Sequence, residues 1–209
     1  MERTYIRIGS EGYEKQYGSH GLTTLKDKHV EISGDKMKFS FKGKKGIYHN
    51  ITIKSKRLAR IIQNCREIPG KELFQFYDAD GTRKSIDSGM INNYIREATG
   101  KDFTSKDFRT WAGSLNLMRA LRSMGEAVTQ AELKKNIVTA LDQVSLKLGN
   151  TRTVCKKYYV HPGLIELYEQ NSLKKYLDEL DKLEEPDDKT GLTAEEAVLM
   201  KILQSFHKS

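Results

Sequence analysis

The stretch that decides the fold is residues 29–53, which read HVEISGDKMKFSFKGKKGIYHNITI. Apolar residues alternate with charged or polar ones in two runs, first Val30, Ile32, Met37, Phe39 and Phe41, then Ile47, Ile51 and Ile53 with His49 on the same beat. The residues between the two runs, 42–46, are Lys and Gly only and predict a turn. The stretch therefore predicts a small antiparallel sheet with a basic hairpin tip.

After residue 53 the chain changes to helical periodicity. Ser55 is predicted to cap a helix over residues 56–65, and residues 73–77 predict one more short strand. Further helices are predicted over roughly 87–98, 104–124, 129–148, 151–158, 161–169, 172–185 and from 193 onward. We therefore expect an α+β fold, in which a small N-terminal antiparallel sheet is followed by a mainly helical body.

The charge of the chain favours a polyanionic partner. Its 209 residues carry a formal net charge of +8, with a sequence pI of about 9.3. Residues 170–209 hold six Lys and nine Asp or Glu, so the positive excess lies in residues 1–169. Net positive charge also occurs in proteins that bind no nucleic acid, so this feature alone leaves the partner open.

Cysteines and histidines show no metal-binding pattern. Cys65 and Cys155 form no Cys-x-x-Cys pair, so we expect reduced thiols. The spacing of His20, His29 and His49 fits no metal site, so we expect histidines on the surface or in turns and no bound metal. No apolar run approaches the roughly 20 residues of a membrane span, and residues 1–6 lack the apolar stretch of a signal peptide. The sequence predicts an intracellular protein with no membrane segment.

Residues 150–161, which read NTRTVCKKYYVH, concentrate the residues that carry chemistry. Two tyrosines follow Arg152, Lys156 and Lys157. A phenol with a pKa near 10 is a slow nucleophile at neutral pH unless nearby cations stabilise its anion or the charge on its target. A solvated basic helix face with half-buried tyrosines is the alternative interpretation of this segment.

Five motifs in a fixed order carry a family resemblance. They are IRIG at 6–9, GLTTLKDKH at 21–29, FKGK at 41–44, KDFRTW at 106–111 and GNTRTVCKKYYVHP at 149–162. Together they resemble the catalytic domain of the type IB DNA topoisomerases, particularly the compact bacterial and poxvirus-like members, over about residues 1–168. The resemblance implies cleavage of one DNA strand by a tyrosine, through a 3′-phosphotyrosyl bond and a free 5′-hydroxyl.

The resemblance also implies roles for single residues. Tyr159 precedes the Val-His-Pro element and matches the family's nucleophile, so Tyr158 is a neighbour. Arg7 and Arg109 match the two catalytic arginines, whose guanidinium groups suit the negative charge that gathers on a phosphorane. Surface ion pairs are the alternative interpretation of both arginines.

Lys44 matches the hairpin lysine that acts as the general acid on the leaving 5′-oxygen. Lys42 and Lys45 are near enough in sequence that a shifted hairpin register would exchange the assignment. Asn150 stands where poxvirus and nuclear members carry a phosphate-binding histidine. An amide donates the same hydrogen bond without titrating, and Asn at this position points to the bacterial branch.

The remaining matched positions imply contacts with DNA. Lys106 assists near the scissile phosphate, and Tyr13 aligns with a residue that touches DNA. Lys26 and Lys28 are expected on backbone phosphates, as is Lys156 beside the tyrosines, although solvated lysines explain the first two nearly as well.

The expected function is therefore that of a type IB DNA topoisomerase that relaxes supercoiled duplex DNA without ATP, a metal or another cofactor. We expect a monomer, cytoplasmic and associated with DNA in a nucleoid or a virus. Residues 1–170 are expected to form the catalytic domain and residues 171–209 an acidic helical extension packed on it, with the family's usual N-terminal β domain absent.

Two other functions stay open at this point. Tyrosine recombinases and integrases share the chemistry, but they usually place His-x-x-Arg where this chain has Lys106-Asp-Phe-Arg109. A noncatalytic DNA-binding domain would use the same basic surface and would leave Tyr159 as a packing or stacking residue.

Overall fold

The structure is a computed structural model that describes residue 1, residues 4–180 and residues 191–206. Its contacts divide the chain into two compact units, Met1–Lys106 and Asp107–Ser209. The first unit contains the strands, and the second contains helices, so the α+β fold class predicted from the sequence is confirmed.

The predicted sheet is present in the first unit. Strands β1 (Val30–Ser33), β2 (Lys36–Lys42) and β3 (Tyr48–Lys54) form an antiparallel sheet in the order β1-β2-β3. Phe39 faces Val30 on one side and Ile51 on the other, so the alternating apolar residues lie in register across all three strands. The alternation therefore reports one buried face, as a period of two requires.

The buried face of the sheet packs on a short helix and two loops. Helix α2 (Lys56–Arg66) begins after Ser55, whose hydroxyl accepts the backbone N–H of Leu58 at 3.3 Å, as predicted. The core of this unit contains Ile6, Leu25, Val30, Met37, Phe39, Phe41, Ala59, Ile62 and Leu73. It joins the loops that precede the sheet to the sheet itself.

The rest of the first unit consists of short elements. Helix α1 (Glu11–Tyr17) precedes the sheet, and strands β4 (Gln75–Tyr77) and β5 (Arg83–Ser85) form a separate two-stranded ribbon before helix α3 (Ser88–Thr99). Neither α1 nor β5 was predicted. Helix α1 buries no residue, and β5 is exposed throughout, so neither has the apolar periodicity that sequence patterns detect.

The second unit is a bundle of helices. Helix α4 (Ser105–Met124) begins at the end of the first unit and is followed by α5 (Gln130–Leu148), α6 (Arg152–Tyr158) and α7 (Pro162–Glu169). Helices α8 (Lys174–Leu180) and α9 (Ala194–Phe206) complete it. These bounds agree closely with the predicted helices, except that residues 181–185 of one predicted helix lie outside the described residues.

The core of the second unit draws on most of these helices. Helix α5 packs on α6 and α7, and α9 packs on α7 and α8. Its fully buried side chains include Leu117, Met118, Leu121, Val144, Leu148, Leu164, Leu173, Leu199 and Ile202. The turns and helix that surround the tyrosine segment are therefore built on a continuous apolar core.

His29 lies in a turn, as predicted, but its environment is more constrained than that of a surface residue. Its ring packs edge-on against the ring of His20, with the two centroids 4.4 Å apart, and its Nδ1 accepts the backbone N–H of Lys26 at 3.1 Å. Burial, followed by the electrostatic effects of His20, Lys28 and Lys26, lowers the pKa of His29 to about 4, against a smaller opposing effect of Glu14. His29 is therefore neutral at pH 7.

Replacing His29 with Asn tests this environment. The pKa of His29 is lower in the folded chain than the roughly 6.5 expected when unfolded, so the unfolded state binds the proton more readily between these values. Stability should therefore fall as the pH drops below about 6.5. From pH 7 to pH 5, urea unfolding should show the parent losing about 1 kcal/mol more than His29→Asn. Equal losses in the two proteins would contradict this.

Candidate active site

In the first unit, the backbone around Arg7 is fixed by a neighbouring turn. The carbonyl of Arg7 accepts the backbone N–H of Leu22 at 2.8 Å, and the carbonyl of Ile8 accepts that of Thr23 at 2.7 Å. Gly21 lies so close that an added Cβ would be 2.6 Å from the Arg7 carbonyl oxygen. The IRIG and GLTTL motifs therefore form one packed junction, which fixes the point from which the Arg7 side chain extends.

Arg7, Tyr13 and Lys44 line one pocket in this unit. The pocket has a volume of about 190 Å³, and Ser19 and His20 are among the other residues that line it. The ammonium of Lys44 lies 5.1 Å from the centroid of the Tyr13 ring, within the range of a cation–π contact. The structure thus brings together three residues that the sequence assigned separately to catalysis and to DNA binding.

The hairpin tip distinguishes the three candidate lysines. Lys42 pairs with Tyr48 at the end of β2, whereas Lys44, Lys45 and Gly46 form a 3-10 turn in which Lys45 has a φ of +61°. All three lysines line a second pocket of about 520 Å³ beside Tyr13. Among them, Lys44 also lines the pocket of Arg7, so the geometry favours Lys44 as the acid.

The other lysines predicted on this unit have different surroundings. The ammonium of Lys26 bonds the Glu14 carboxylate at 2.6 Å, and this hydrogen bond raises the pKa of Lys26 against a smaller effect of burial. Lys28 is exposed in the turn that precedes β1, and Lys106 is exposed in the first turn of α4. Lys26 would have to leave this carboxylate to bind a phosphate, and the exposed side chains of Lys28 and Lys106 are accessible to one.

In the second unit, Arg109 is a buried cation on helix α4. Arg109 is only 4% exposed, and its Nη2 donates a 2.7 Å hydrogen bond to the carbonyl of Leu148 at the end of α5. Burial lowers the pKa of Arg109. A hydrogen bond with Tyr159 and the electrostatic effects of Tyr159 and Cys155 act in the opposite direction. A guanidinium remains charged under such a shift, so α4 delivers a fixed positive charge into the interior.

Tyr159 lies directly beside this charge. The guanidinium carbon of Arg109 is 5.1 Å from the centroid of the Tyr159 ring. Tyr159 ends helix α6, and its backbone N–H donates to the carbonyl of Cys155 at 3.0 Å. A phenol held against a buried guanidinium is what a tyrosine nucleophile requires, because the cation stabilises the phenolate and the charge of the phosphorane.

Helix α4 also fixes the backbone of the tyrosine segment. A Cβ on Gly113, one turn after Arg109, would lie 2.0 Å from the carbonyl oxygen of Tyr159. The hydroxyl of the next residue, Ser114, accepts the backbone N–H of His161 at 3.0 Å. Helix α4 thus positions the segment from Tyr159 to His161 in three ways. Arg109 supplies the positive charge, Gly113 allows the close backbone contact, and Ser114 anchors the backbone N–H of His161.

Tyr158 and Cys155, which lie near Tyr159 in the sequence, are poor candidates for the nucleophile. Tyr158 is 50% exposed, and the ammonium of Lys157 lies 5.2 Å from its ring centroid. Cys155 is fully buried, and burial raises the pKa of its thiol to about 11, so the thiol stays protonated at neutral pH. The geometry therefore favours Tyr159 over both as the nucleophile.

Asn150 follows the end of helix α5, close in sequence to the carbonyl that Arg109 contacts. Gly149 adopts a left-handed conformation with a φ of +59°, and the backbone N–H of Asn150 donates to the carbonyl of Ser145 at 2.9 Å. This turn leads directly to Thr151, which caps α6. Lys156 is exposed on α6, so it is available to an external phosphate.

Sequence reasoning did not identify Gly113 and Ser114 as part of this site. Gly113 is a small residue four positions after Arg109, a spacing that places it on the same face of the helix, and Ser114 follows it. That signal was present in the sequence, but it specifies a close contact only when the partner segment is known. The long-range contact with Tyr159 supplies that information.

Two negative findings concern the described residues only. Within residues 1, 4–180 and 191–206, three or more His, Cys, Asp or Glu side chains are nowhere grouped as a metal would need. In the same part of the chain, every helix is too short or too polar to cross a membrane.

Comparisons with known proteins place this site in a family. A family model described as "Eukaryotic DNA topoisomerase I, catalytic core" matches residues 1–186. The chain is also 37% identical over 179 residues to the DNA topoisomerase 1B of Acanthamoeba polyphaga mimivirus, which is 82% of this chain and 53% of the relative. The chain belongs to the type IB DNA topoisomerase family.

Poxvirus proteins are more distant relatives. The DNA topoisomerase I of Monkeypox virus is 26% identical over 180 residues, covering 85% of this chain and 53% of the relative. The DNA topoisomerase 1 of Rabbit fibroma virus is 28% identical over 174 residues, covering 80% and 51%. The chain thus spans about half the length of the curated relatives it matches.

Replacing Gly113 with Ala tests the close approach of α4 to the tyrosine segment. The new Cβ would overlap the Tyr159 carbonyl, so thermal or urea unfolding should show a loss of about 2–3 kcal/mol. Gly12→Ala in α1 is the matched control, because the Cβ there meets only Ser10 Oγ at 3.7 Å. The control should be unchanged or up to about 1 kcal/mol more stable. A Gly113→Ala protein as stable as the parent would refute the contact.

Proposed function

We propose that this chain carries the catalytic activity of a type IB DNA topoisomerase, with duplex DNA as its substrate. Residues 1–170 are proposed as the catalytic domain and residues 171–209 as a helical extension of it. The observation that carries the proposal is the buried guanidinium of Arg109, 5.1 Å from the ring centroid of Tyr159. Family membership supports the same reaction.

In the proposed cleavage step, the phenolic oxygen of Tyr159 attacks a backbone phosphorus of one DNA strand. A 3′-phosphotyrosyl bond forms, the bond from phosphorus to the 5′-oxygen breaks, and the phenolic proton passes to solvent. Negative charge gathers on the nonbridging oxygens of the phosphorane, where Arg109 and Arg7 supply fixed guanidinium charge and Asn150 an amide donor. Each arginine can contact two oxygens at once.

The leaving 5′-oxygen takes its proton from Lys44. An expelled alkoxide is a poor leaving group, so proton transfer to it lowers the barrier, and a lysine ammonium can donate that proton. The pocket that Lys44 shares with Arg7 supports this assignment. Religation is the reverse step, in which the 5′-hydroxyl returns its proton to Lys44 and displaces Tyr159 from phosphorus.

The proposed cycle needs no ATP and no cofactor. The phosphotyrosyl bond is a phosphodiester like the one it replaces, so the strand can be rejoined without an energy source. Between the two steps the duplex beyond the break rotates about the intact strand and loses supercoils. The chain is proposed to act as a DNA-associated monomer.

Exposed residues support the proposed binding of duplex DNA. Phosphate contacts give most protein–DNA affinity and depend on cations that can reach the backbone. Lys28, Lys106 and Lys156 are exposed, and Tyr13 is 48% exposed beside Lys44. These four residues are proposed to contact DNA, whereas Lys26 would first have to leave Glu14.

Replacing Tyr159 with Phe is the direct test of the nucleophile. Tyr159→Phe should form no denaturant-resistant adduct with a suicide-substrate DNA and should not relax a supercoiled plasmid, because the attacking oxygen is gone. The matched control Tyr158→Phe should retain both activities within about 3-fold. Adduct formation by Tyr159→Phe would refute the proposal. Recombination between specific sites without general relaxation would indicate a recombinase instead.

Replacing Lys44 with Ala tests the general acid. Lys44→Ala should cleave ordinary DNA at least about 10²-fold more slowly than the parent in a single turnover. DNA with sulfur at the bridging 5′ position should restore its rate to within about 10-fold of the parent, because a thiolate leaves without a proton.

Lys42→Ala and Lys45→Ala are the controls for this measurement, since both lysines lie in the same hairpin tip. They should cleave both substrates at close to the parental rate. A Lys44→Ala defect that is equal on oxygen and sulfur substrates would show that Lys44 acts otherwise, and a sulfur-rescued defect in Lys42→Ala or Lys45→Ala would move the role to that lysine.

A further inference from the structure

Helix α9 lies beyond the part of the chain that matches the family. The family model ends at residue 186, whereas α9 spans Ala194–Phe206. One face of α9 is nevertheless fully integrated in the second unit, with Ala194, Val198, Leu199 and Ile202 buried. Besides the bond of Lys201 with Glu179 of α8, α9 contacts the two segments that position Arg109 and Tyr159.

The beginning of α9 is bonded to the helix of the buried arginine. Trp111, two residues after Arg109, donates its indole N–H to Glu196 Oε1 at 3.1 Å. The preceding residue of α9, Glu195, accepts the Nε of Arg119 with its Oε2 at 2.6 Å. Both carboxylates of this first turn of α9 are thus directed at α4.

The Glu196 carboxylate is also held at its own helix end. Its Oε2 accepts the backbone N–H of Thr193 at 3.0 Å and the Thr193 hydroxyl at 3.1 Å. Burial acts to raise the pKa of Glu196, but the hydrogen bonds from Thr193 and Trp111 outweigh it, and the pKa is lowered. The group is therefore an ionised acceptor with a fixed position at neutral pH.

The end of α9 packs on the turn that follows the tyrosine. A Cβ on Gly163 would lie 2.4 Å from the Phe206 ring, so the ring covers the backbone at the start of α7. The ring centroids of Phe206 and His161 are 5.4 Å apart. His161 is the residue whose N–H is anchored on Ser114 of α4, two positions after Tyr159.

We propose that α9 is a positioning element for the reaction, in which Glu196 and Phe206 hold the α4 helix and the His161–Gly163 turn so that Arg109 and Tyr159 keep their mutual geometry. The inference rests on the proposed function. Glu196 acts through its hydrogen bond with Trp111, and Phe206 acts through its contact with the His161–Gly163 turn.

The reaction is sensitive to such positioning because attack requires alignment of the phenolic oxygen with phosphorus. A displacement of about 1 Å in a reacting group can cost on the order of 10²-fold in rate. Tyr159 lies at the end of a seven-residue helix, and the N–H of His161 after it is anchored on Ser114. Loss of the Phe206 ring would free one side of that segment.

Phe206→Ala tests the inference, with Val198→Ala as the matched control. Val198 is buried on the same helix, so its truncation lowers the stability of α9 without removing the contact with the turn. In single-turnover adduct formation with a suicide-substrate DNA, Phe206→Ala should react about 10-fold more slowly than the parent at unchanged DNA affinity. Val198→Ala should react within about 2-fold of the parent, and Phe206→Leu should recover part of the loss.

The outcomes separate this inference from the proposed function. A parent that forms no adduct refutes the proposed function, and the inference with it. A reactive parent with an equally reactive Phe206→Ala protein refutes the inference alone. Equal slowing in Phe206→Ala and Val198→Ala also refutes it, because the defect would then follow the stability of α9 and not the contact.

A second test compares the rate of adduct formation with the fluorescence of Trp111, which is the single tryptophan of the chain and reports on the contact without DNA. Glu196→Ala removes the acceptor of the indole N–H, so the fluorescence emission should shift to the red and adduct formation should slow as in Phe206→Ala. Glu196→Gln keeps an acceptor oxygen and should resemble the parent in both measurements. An emission shift in Glu196→Ala without any change in rate would show that the contact exists but does not position the site.

Discussion

A charged guanidinium in a protein interior is the constraint around which the second unit is organised. Desolvation of Arg109 is unfavourable, and the fold offsets it with the Leu148 carbonyl at the end of α5 and with the electron-rich face of Tyr159 at the end of α6. Each partner comes from a different helix. The charge can therefore be kept only while α4, α5 and α6 stay together, and the same requirement places a phenol beside a cation.

Close contact between two backbone segments is the second structural constraint, and it occurs separately in each unit. Gly21 allows the segment of Arg7 to lie against the next turn, and Gly113 allows the Tyr159 carbonyl to lie against α4. A side chain at either glycine would displace the backbone of Arg7 or Tyr159, which are proposed to act in catalysis. Since the proposed chemistry depends on alignment within about 1 Å, the glycines matter to function although they carry no functional group.

The sequence predicted those parts of the fold that repeat along the chain. Alternation over residues 29–53 predicted the small antiparallel sheet, although not the division of its first run into β1 and β2, and helical spacing predicted α4 to α7 within one or two residues. Elements without a buried face, α1 and β5, left no such pattern. For the site, the motifs identified Arg109 and Tyr159, but the contacts of Gly113 and Ser114 join residues about 47 positions apart, as with the Ser114–His161 bond. Local periodicity contains no information on such pairs.

The different surroundings of Lys26 and Lys44 show why charge alone does not indicate which lysine suits the role of general acid. Both lie in motifs rich in positive charge, yet Lys26 bonds Glu14, whereas Lys44 lies over the Tyr13 ring on the wall of the Arg7 pocket. A carboxylate partner fixes an ammonium and neutralises its field, while an aromatic face leaves the charge intact and the proton available. An acid that must give its proton to a transient alkoxide is better kept on an aromatic ring than in an ion pair, and that difference in environment favours Lys44 for the role.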